Sequence, residues 1–304
     1  MYDAYGFEEA PLRASVNPSM VMIPNPTQES FWTEWLVVTA APGANLKSSA
    51  SIPQHTAVLT SMVLSGIPHG LRGRIWPQLL KVPLYRTEHS PMRGYYGELR
   101  SKGKHAKWGH RIDLDLHRTF CTHSHFKNEG RGQRQLSNVL NAYSHYNEKI
   151  GYCQGMSFLV GVLLMVMDEE ERAFWTLCAL MDRDEGRLAS YYEPGMAGVL
   201  RDVDIFRRML LLETPQLYAH LEKTGVDASF FCARWFLALF TDLSDWTTVL
   251  RLWDIYFLQG HVAIFRAALA ILKASLSEIL ALKNAEHLFP FLLNLPFSKL
   301  NPSV

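Results

Sequence analysis

Two side chains in this sequence, Arg118 and Gln154, have the types and surroundings that could do chemistry. An arginine guanidinium is planar, permanently charged and presents several donors in a fixed fork, which suits it to charge on phosphoryl oxygens. A glutamine carboxamide carries both an acceptor oxygen and an NH2 donor, so it can accept from an attacking water while donating to nearby backbone. Gln154 lies between Gly151 and Gly155, where backbone freedom lets a side chain approach a partner closely. Asp115 precedes Arg118 by one helical turn, a spacing at which a carboxylate can face the guanidinium and orient it. That makes Asp115 a structural ion-pair partner rather than a reacting group. Tyr152, two residues before Gln154, can pack the loop or touch a partner. Taken singly these residues are unspecific, because an arginine beside an apolar run is ordinarily a solvated surface residue.

Their context is more specific. Three segments occur in order: Gly66-Ile67-Pro68-His69-Gly70-Leu71-Arg72-Gly73-Arg74-Ile75-Trp76, then Ile112-Asp113-Leu114-Asp115-Leu116-His117-Arg118-Thr119-Phe120, then Gly151-Tyr152-Cys153-Gln154-Gly155-Met156-Ser157-Phe158. They resemble the R-x-x-x-W, I-x-x-D-x-x-R and Y-x-Q-G signatures of the TBC-domain family of Rab GTPase-activating proteins. Gly132-Gln133, Asn138-Val139-Leu140, Ala142-Tyr143, Ala233-Arg234-Trp235 and Val249-Leu250-Arg251-Leu252-Trp253-Asp254 extend the likeness over roughly residues 60–297. One departure stands out: the family commonly has proline after R-T-F, and Cys121 occupies that place. Cysteine is small and apolar, so a modest local change is expected, without loss of the arginine's position.

The resemblance implies a dual-finger mechanism. Hydrolysis of bound GTP develops charge on phosphoryl oxygens and needs a water aligned for in-line attack. Arg118 is then the arginine finger and Gln154 the glutamine finger, with Asp115, Tyr152 and Gly155 supporting them and Arg72, Trp76 and Ile112 as structural parts of the motif. The catalytic pair must reach a common exposed groove. The implied partner is a Rab-family small GTPase in its GTP-bound state, which holds the GTP and Mg2+; this chain has no cofactor of its own and is an activator rather than the hydrolysing enzyme. A cytoplasmic protein of vesicle trafficking follows, recruited to endomembranes peripherally and through partners. The alternative is a non-catalytic adaptor that binds the GTPase through the same surface.

Composition limits the other function classes. The chain has 30 Lys plus Arg against 29 Asp plus Glu, so it lacks the basic excess of a nucleic-acid binder. Cys121, Cys153, Cys178 and Cys232 form no C-x-x-C pair and fit reduced thiols of a cytosolic protein. His117, Cys121, His123 and His125 cluster in sequence but lack the usual paired zinc-ligand spacing, so no metal site is expected. No G-x-x-x-x-G-K-[ST] loop argues for a stand-alone nucleotide hydrolase. The N-terminus shows no secretory signal, and the longest apolar run, Phe158–Met167, is short of the about 20 residues a membrane span needs.

The elements that must position these residues read as helices. Leu136, Val139, Leu140 and Tyr143 share one face at helical spacing, Met156–Met167 reads as a buried helix, and Glu170–Met181 as an amphipathic one. Thr214-Pro215 resembles a helix start and Gly225 a stop, followed by helical patterns over Asp227–Phe240, Trp246–Leu258 and His261–Leu282. The expected fold is all-α, a multi-helix domain over residues 56–304; the family likeness implies two packed lobes forming a groove. Residues 1–55, rich in Pro, Ser and Ala, read as a partly flexible extension, with an ambiguous apolar patch at Phe31–Val38. Residues 83–111, with Pro83, Pro91, Gly94, Gly97, Gly103 and Gly109, read as a surface loop carrying the basic residues Arg86, Arg93, Arg100, Lys102, Lys104 and Lys107.

Overall fold

The structure is a computed structural model that describes residues 5, 7, 26–40, 53–127, 130–167, 169–241 and 245–295. Helices dominate. Among the described residues the only β-type pairing is an isolated antiparallel bridge between Phe7 and His123. The chain divides into two compact units, Met1–Leu180 and Met181–Val304. The expected extension 1–55 falls largely outside the described residues.

The first unit contains α1 (Pro26–Ala40), α2 (Pro53–Ser65), α3 (Arg72–Leu79), α4 (Val82–His89), α5 (Tyr95–Ser101), α6 (Gly109–Leu116), α7 (Arg131–Tyr146) and α8 (Met156–Met167), with α9 (Glu170–Gly186) beginning in it. The apolar patch at 31–38 lies in α1, which buries Trp32 and Leu36 and packs on α3. Apolar residues all round α8 make it the central rod, since such a helix is stable only where protein covers every face. The amphipathic α7 packs along α8, and α5 and α6 pack on α7. Trp76 and Ile112 are fully buried and Arg72 nearly so.

Residues 83–111 are not the single loop expected. They form most of α4, all of α5 and the start of α6. Three of the proline and glycine signals that suggested a loop, Pro83, Gly94 and Gly109, lie at helix starts. Pro83 sits in the first turn of α4, where a missing N–H costs nothing, and Gly94 takes the left-handed conformation that begins α5. Their basic residues are partly engaged: Arg86 pairs with Glu171, Arg100 with Glu170, and Lys104 with Asp113. Aromatic contacts complete the docking, with Tyr96 tilted on Phe174 at 5.0 Å and its hydroxyl donating to Glu170 at 2.8 Å.

The second unit contains the end of α9, then α10 (Ala197–Glu213), α11 (Pro215–Thr224), α12 (Ser229–Leu237), α13 (Trp246–Gln259), α14 (Val262–Ala274), α15 (Leu276–Ala281) and α16 (Ala285–Leu293). Thr214 does precede a helix with proline in its first turn, but its hydroxyl bonds back to Leu210 O rather than capping. The expected helix 227–240 is shorter because Leu239 and Phe240 turn into positive φ. The expected helix 261–282 divides at Ser275, whose backbone leaves helical geometry. The polar centre is Asp202, fully buried, which accepts from both Arg187 and Arg201 and from the Tyr191 hydroxyl, and meets His261 Nε2 at 2.8 Å. Arg183 donates to the carbonyls of Tyr256, Phe257 and Leu258, the negative end of α13.

Burial works to raise the Asp202 pKa, but hydrogen bonds from His261, Arg187, Tyr191 and Arg201 outweigh it and hold the carboxyl well below its ordinary 3.8. A depressed folded pKa contributes stability above the unfolded value, lost as pH falls towards and through the folded one. Asp202→Ala is expected to cost about 3 kcal/mol at neutral pH, because it leaves several donors unpaired around a buried site. Urea denaturation would measure it, and the deficit relative to wild type should shrink below about pH 3.

Candidate functional site

Helix α6 ends at Leu116, so Arg118 lies in the turn beyond it. That turn is tightly tied: the Arg118 and Thr119 amides and the Thr119 hydroxyl all donate to the Asp115 carbonyl, at 3.1, 3.1 and 2.7 Å. Arg118 is exposed and has no side-chain hydrogen bond or ion pair among the described residues. Phe120, two residues on, is buried with φ of +46°, a conformation that bulky side chains rarely adopt. The next turn closes with His123 N–H donating to Phe120 O at 2.8 Å. Cys121 is exposed at the second position of that turn, where a proline's fixed φ is commonly found. The turn forms with cysteine in that place.

Gln154 sits at the tip of the Gly151–Gly155 loop, exposed and likewise without a side-chain partner among the described residues. Both glycines take positive φ, +63° and +102°. At Gly151 there is a second requirement, since a Cβ would collide with the indole of Trp108. Lys107 and Arg111 lie over the same ring at 4.5 and 5.5 Å, so cationic groups surround the indole beneath the loop. The Cys153 thiol is half-buried, and that burial raises its pKa above the ordinary 9.0, which keeps it protonated and a poor nucleophile.

The expectation that Asp115 faces Arg118 does not hold. Asp115 Oδ2 accepts from the Tyr152 hydroxyl at 2.6 Å, and there is no Asp115–Arg118 ion pair among the described residues. The helix has ended before Arg118, so helical side-chain spacing no longer applies. Burial, reinforced by the Asp115 carboxylate, raises the Tyr152 pKa, so the phenol remains a donor. This bond ties the Arg118 segment to the Gln154 loop across 37 positions of sequence. A second tie lies one step further along each segment. The Phe120 ring packs edge-on against Phe158 at 5.3 Å and against Gly161, where an added Cβ would stand 2.7 Å from two ring carbons.

Trp108, Phe120, Phe158 and Gly161 were not singled out as site residues from sequence. Gly161 had a signal, since a glycine inside an apolar helix usually marks a close approach. Trp108 had none, because it fell in the segment read as a loop. The histidines near Arg118 are otherwise employed: His123 Nδ1 accepts from the His125 amide and His125 Nε2 meets Gln135 Oε1 at 2.9 Å. No group of three or more His, Cys, Asp or Glu able to hold a metal occurs among the described residues. Nor is any described helix long and apolar enough to cross a membrane.

Removing the Tyr152 hydroxyl with Tyr152→Phe is expected to cost about 1–2 kcal/mol, seen as a lower denaturation midpoint. Gly161→Ala gives a sharper test. In an ordinary helix interior it would stabilise by about 1 kcal/mol, whereas here the Cβ must displace Phe120, so the midpoint should fall.

The arrangement puts the exposed guanidinium of Arg118 and the exposed carboxamide of Gln154 on segments tied together. Known proteins resemble this chain over most of its length. The human "Growth hormone-regulated TBC protein 1" (Homo sapiens) is 34% identical over 250 residues, covering 81% of this chain and 72% of the relative. "Carabin" of Mus musculus is 37% identical over 215 residues, covering 70% of this chain and 47% of its own. Among solved structures, the Chlamydomonas flagellar RabGAP TBC domain aligns with a TM-score of 0.72 at 25% identity, covering 100% of this chain and 96% of that one. The Ypt/Rab-GAP domain of Gyp1p shares the fold at a TM-score of 0.66 and 20% identity, over 88% of this chain and 92% of that one. The RabGAP-TBC profile, described as the Rab-GTPase-TBC domain, matches residues 69–280. That span takes in both tied segments, and the chain belongs to the Rab-GTPase-TBC domain family.

Proposed function

We propose that this chain accelerates GTP hydrolysis on a Rab-family GTPase by lending it two side chains in trans, the guanidinium of Arg118 and the carboxamide of Gln154. Family membership supports the GTPase-activating role; the two fingers are the step beyond it. The observation that carries this step is the pairing of exposure with anchorage. Both side chains are exposed and without partners among the described residues, while their backbones are joined through Tyr152–Asp115 and Phe120–Gly161.

In this mechanism the GTP-bound partner holds the nucleotide and its Mg2+. Arg118 presents its fork of donors to the phosphoryl oxygens as charge develops on them. Gln154 accepts from the attacking water and aligns it for in-line displacement. Asp115 and Tyr152 act through the loop geometry and touch neither water nor phosphate. Side chains held ready in advance need little reorganisation when the reaction occurs, which is where positioning gains its effect. The chain works in the cytoplasm, and any recruitment to endomembranes runs through its partners.

A panel of GTP-loaded Rab proteins, assayed for phosphate release with and without the purified chain, tests the reading. Acceleration of at least one is expected; none accelerated at high activator concentration would reject it. With the responding GTPase, Arg118→Ala should lower the rate on the order of 10³-fold or more, and Arg118→Lys should recover little of it because the fork is lost. Gln154→Ala should lower the rate about 10²-fold. Melting temperatures should hardly move, since both residues are exposed. Tight binding of a GTP-loaded Rab without faster turnover would replace this reading with that of an adaptor.

A further inference from the structure

Phe120 holds a backbone conformation that a large side chain keeps only where its surroundings over-determine it. From the body of the first unit it meets Gly161, Phe158 and Phe126, the last at 6.1 Å between ring centres. Another comes from near the N-terminus. The Phe7 ring stands edge-on to Phe120 at 6.0 Å and to His123 at 4.7 Å. Phe7 and His123 are joined by the antiparallel bridge, and His123 Nε2 lies 2.7 Å from Tyr5 O. Because His123 Nδ1 accepts from the His125 amide, Nε2 carries the proton and donates to that carbonyl. The Tyr5 ring meets His69 edge-on at 5.6 Å, at the opening of the Rab-GTPase-TBC match.

We infer that Tyr5 and Phe7 are positioning residues for Arg118: they clamp the Phe120–His123 turn and thereby fix the backbone from which the guanidinium projects. The inference rests on the finger reading of Arg118 and deepens it. Arg118 has no side-chain partner among the described residues, so the turn on either side of it sets its direction. Asp115 and its helix secure one side, and the Phe120–His123 turn secures the other. Tyr5 and Phe7 touch His69, Phe120 and His123, and act on Arg118 only through the turn, so their effect should appear in the rate at saturation and not in binding of the GTPase.

The test is Phe7→Ala in the full chain, with Phe7→Leu as the conservative variant. Two measurements are made, amide hydrogen exchange of the free protein and single-turnover hydrolysis with a responding GTP-loaded Rab. Exchange at the His123 amide should quicken at least tenfold in Phe7→Ala, with the amides of α8 unchanged. The saturated rate should fall about tenfold while KM stays within twofold, and Phe7→Leu should recover most of both losses. Unchanged His123 exchange, or faster exchange with an unchanged saturated rate, would overturn the inference. So would a loss of α8 protection and melting temperature in step with His123, which would make Phe7 a general stabiliser. If wild-type protein accelerates no Rab, the finger reading fails, and the exchange result alone decides whether the segment orders the turn.

Discussion

The hydrogen bond from the Tyr152 phenol to the Asp115 carboxylate is the constraint on which the site depends. It is short, largely shielded from water and charge-assisted, the kind that contributes most and leaves the costliest gap when one partner is lost. Its two ends belong to segments whose helices, α6 and α8, both pack against α7. The Asp115 carbonyl takes three further donors from the following turn, so one residue anchors the loop through its side chain and the arginine segment through its backbone. Phe120 against Gly161 repeats the tie one turn further on. The Arg118 and Gln154 side chains are thereby relieved of any structural duty.

That separation has a physical reason. A side chain that must engage a partner cannot also be saturated by its own protein, because every internal bond would have to break on docking. Arg118 and Gln154 remain exposed, and the neighbouring residues bear the strain and burial. Phe120 carries the unusual backbone, Tyr152 carries the buried polar group, and Trp108 fills the space that Gly151 leaves open. The apolar, largely buried α8 gives these contacts a stiff support. Burial raises the pKa of the Cys153 thiol in the loop, which disfavours its thiolate. What the surface offers is charge and geometry.

The second unit has a different logic. Its buried carboxylate, Asp202, gathers donors from Arg187 just past α9, from α10, the turn at Tyr191 and the start of α14. Such a centre specifies how helices of similar apolar character must be arranged, because any other packing would leave charge unpaired in the interior. Arg183 adds to this by closing the carbonyl end of α13.

By itself the sequence determined what depends on local order. The period of α7, the unbroken apolar run of α8 and the three ordered segments around Arg72, Arg118 and Gln154 are all readable from neighbours in the chain. Helices α4 and α5 were not, because proline and glycine mark a loop and a helix start with the same letters, and only packing on α7 and α9 decides between them. Tertiary structure alone decided the pairings: Asp115 with Tyr152 at 37 positions' separation, Tyr5 with His123 at 118, Phe120 with Gly161. Local periodicity predicted Asp115 beside Arg118, and the chain instead turned out of the helix and sent the carboxylate elsewhere. Backbone propensity acts over a few residues, whereas a buried polar group takes whichever partner the packed core brings within reach, and no local pattern encodes that choice.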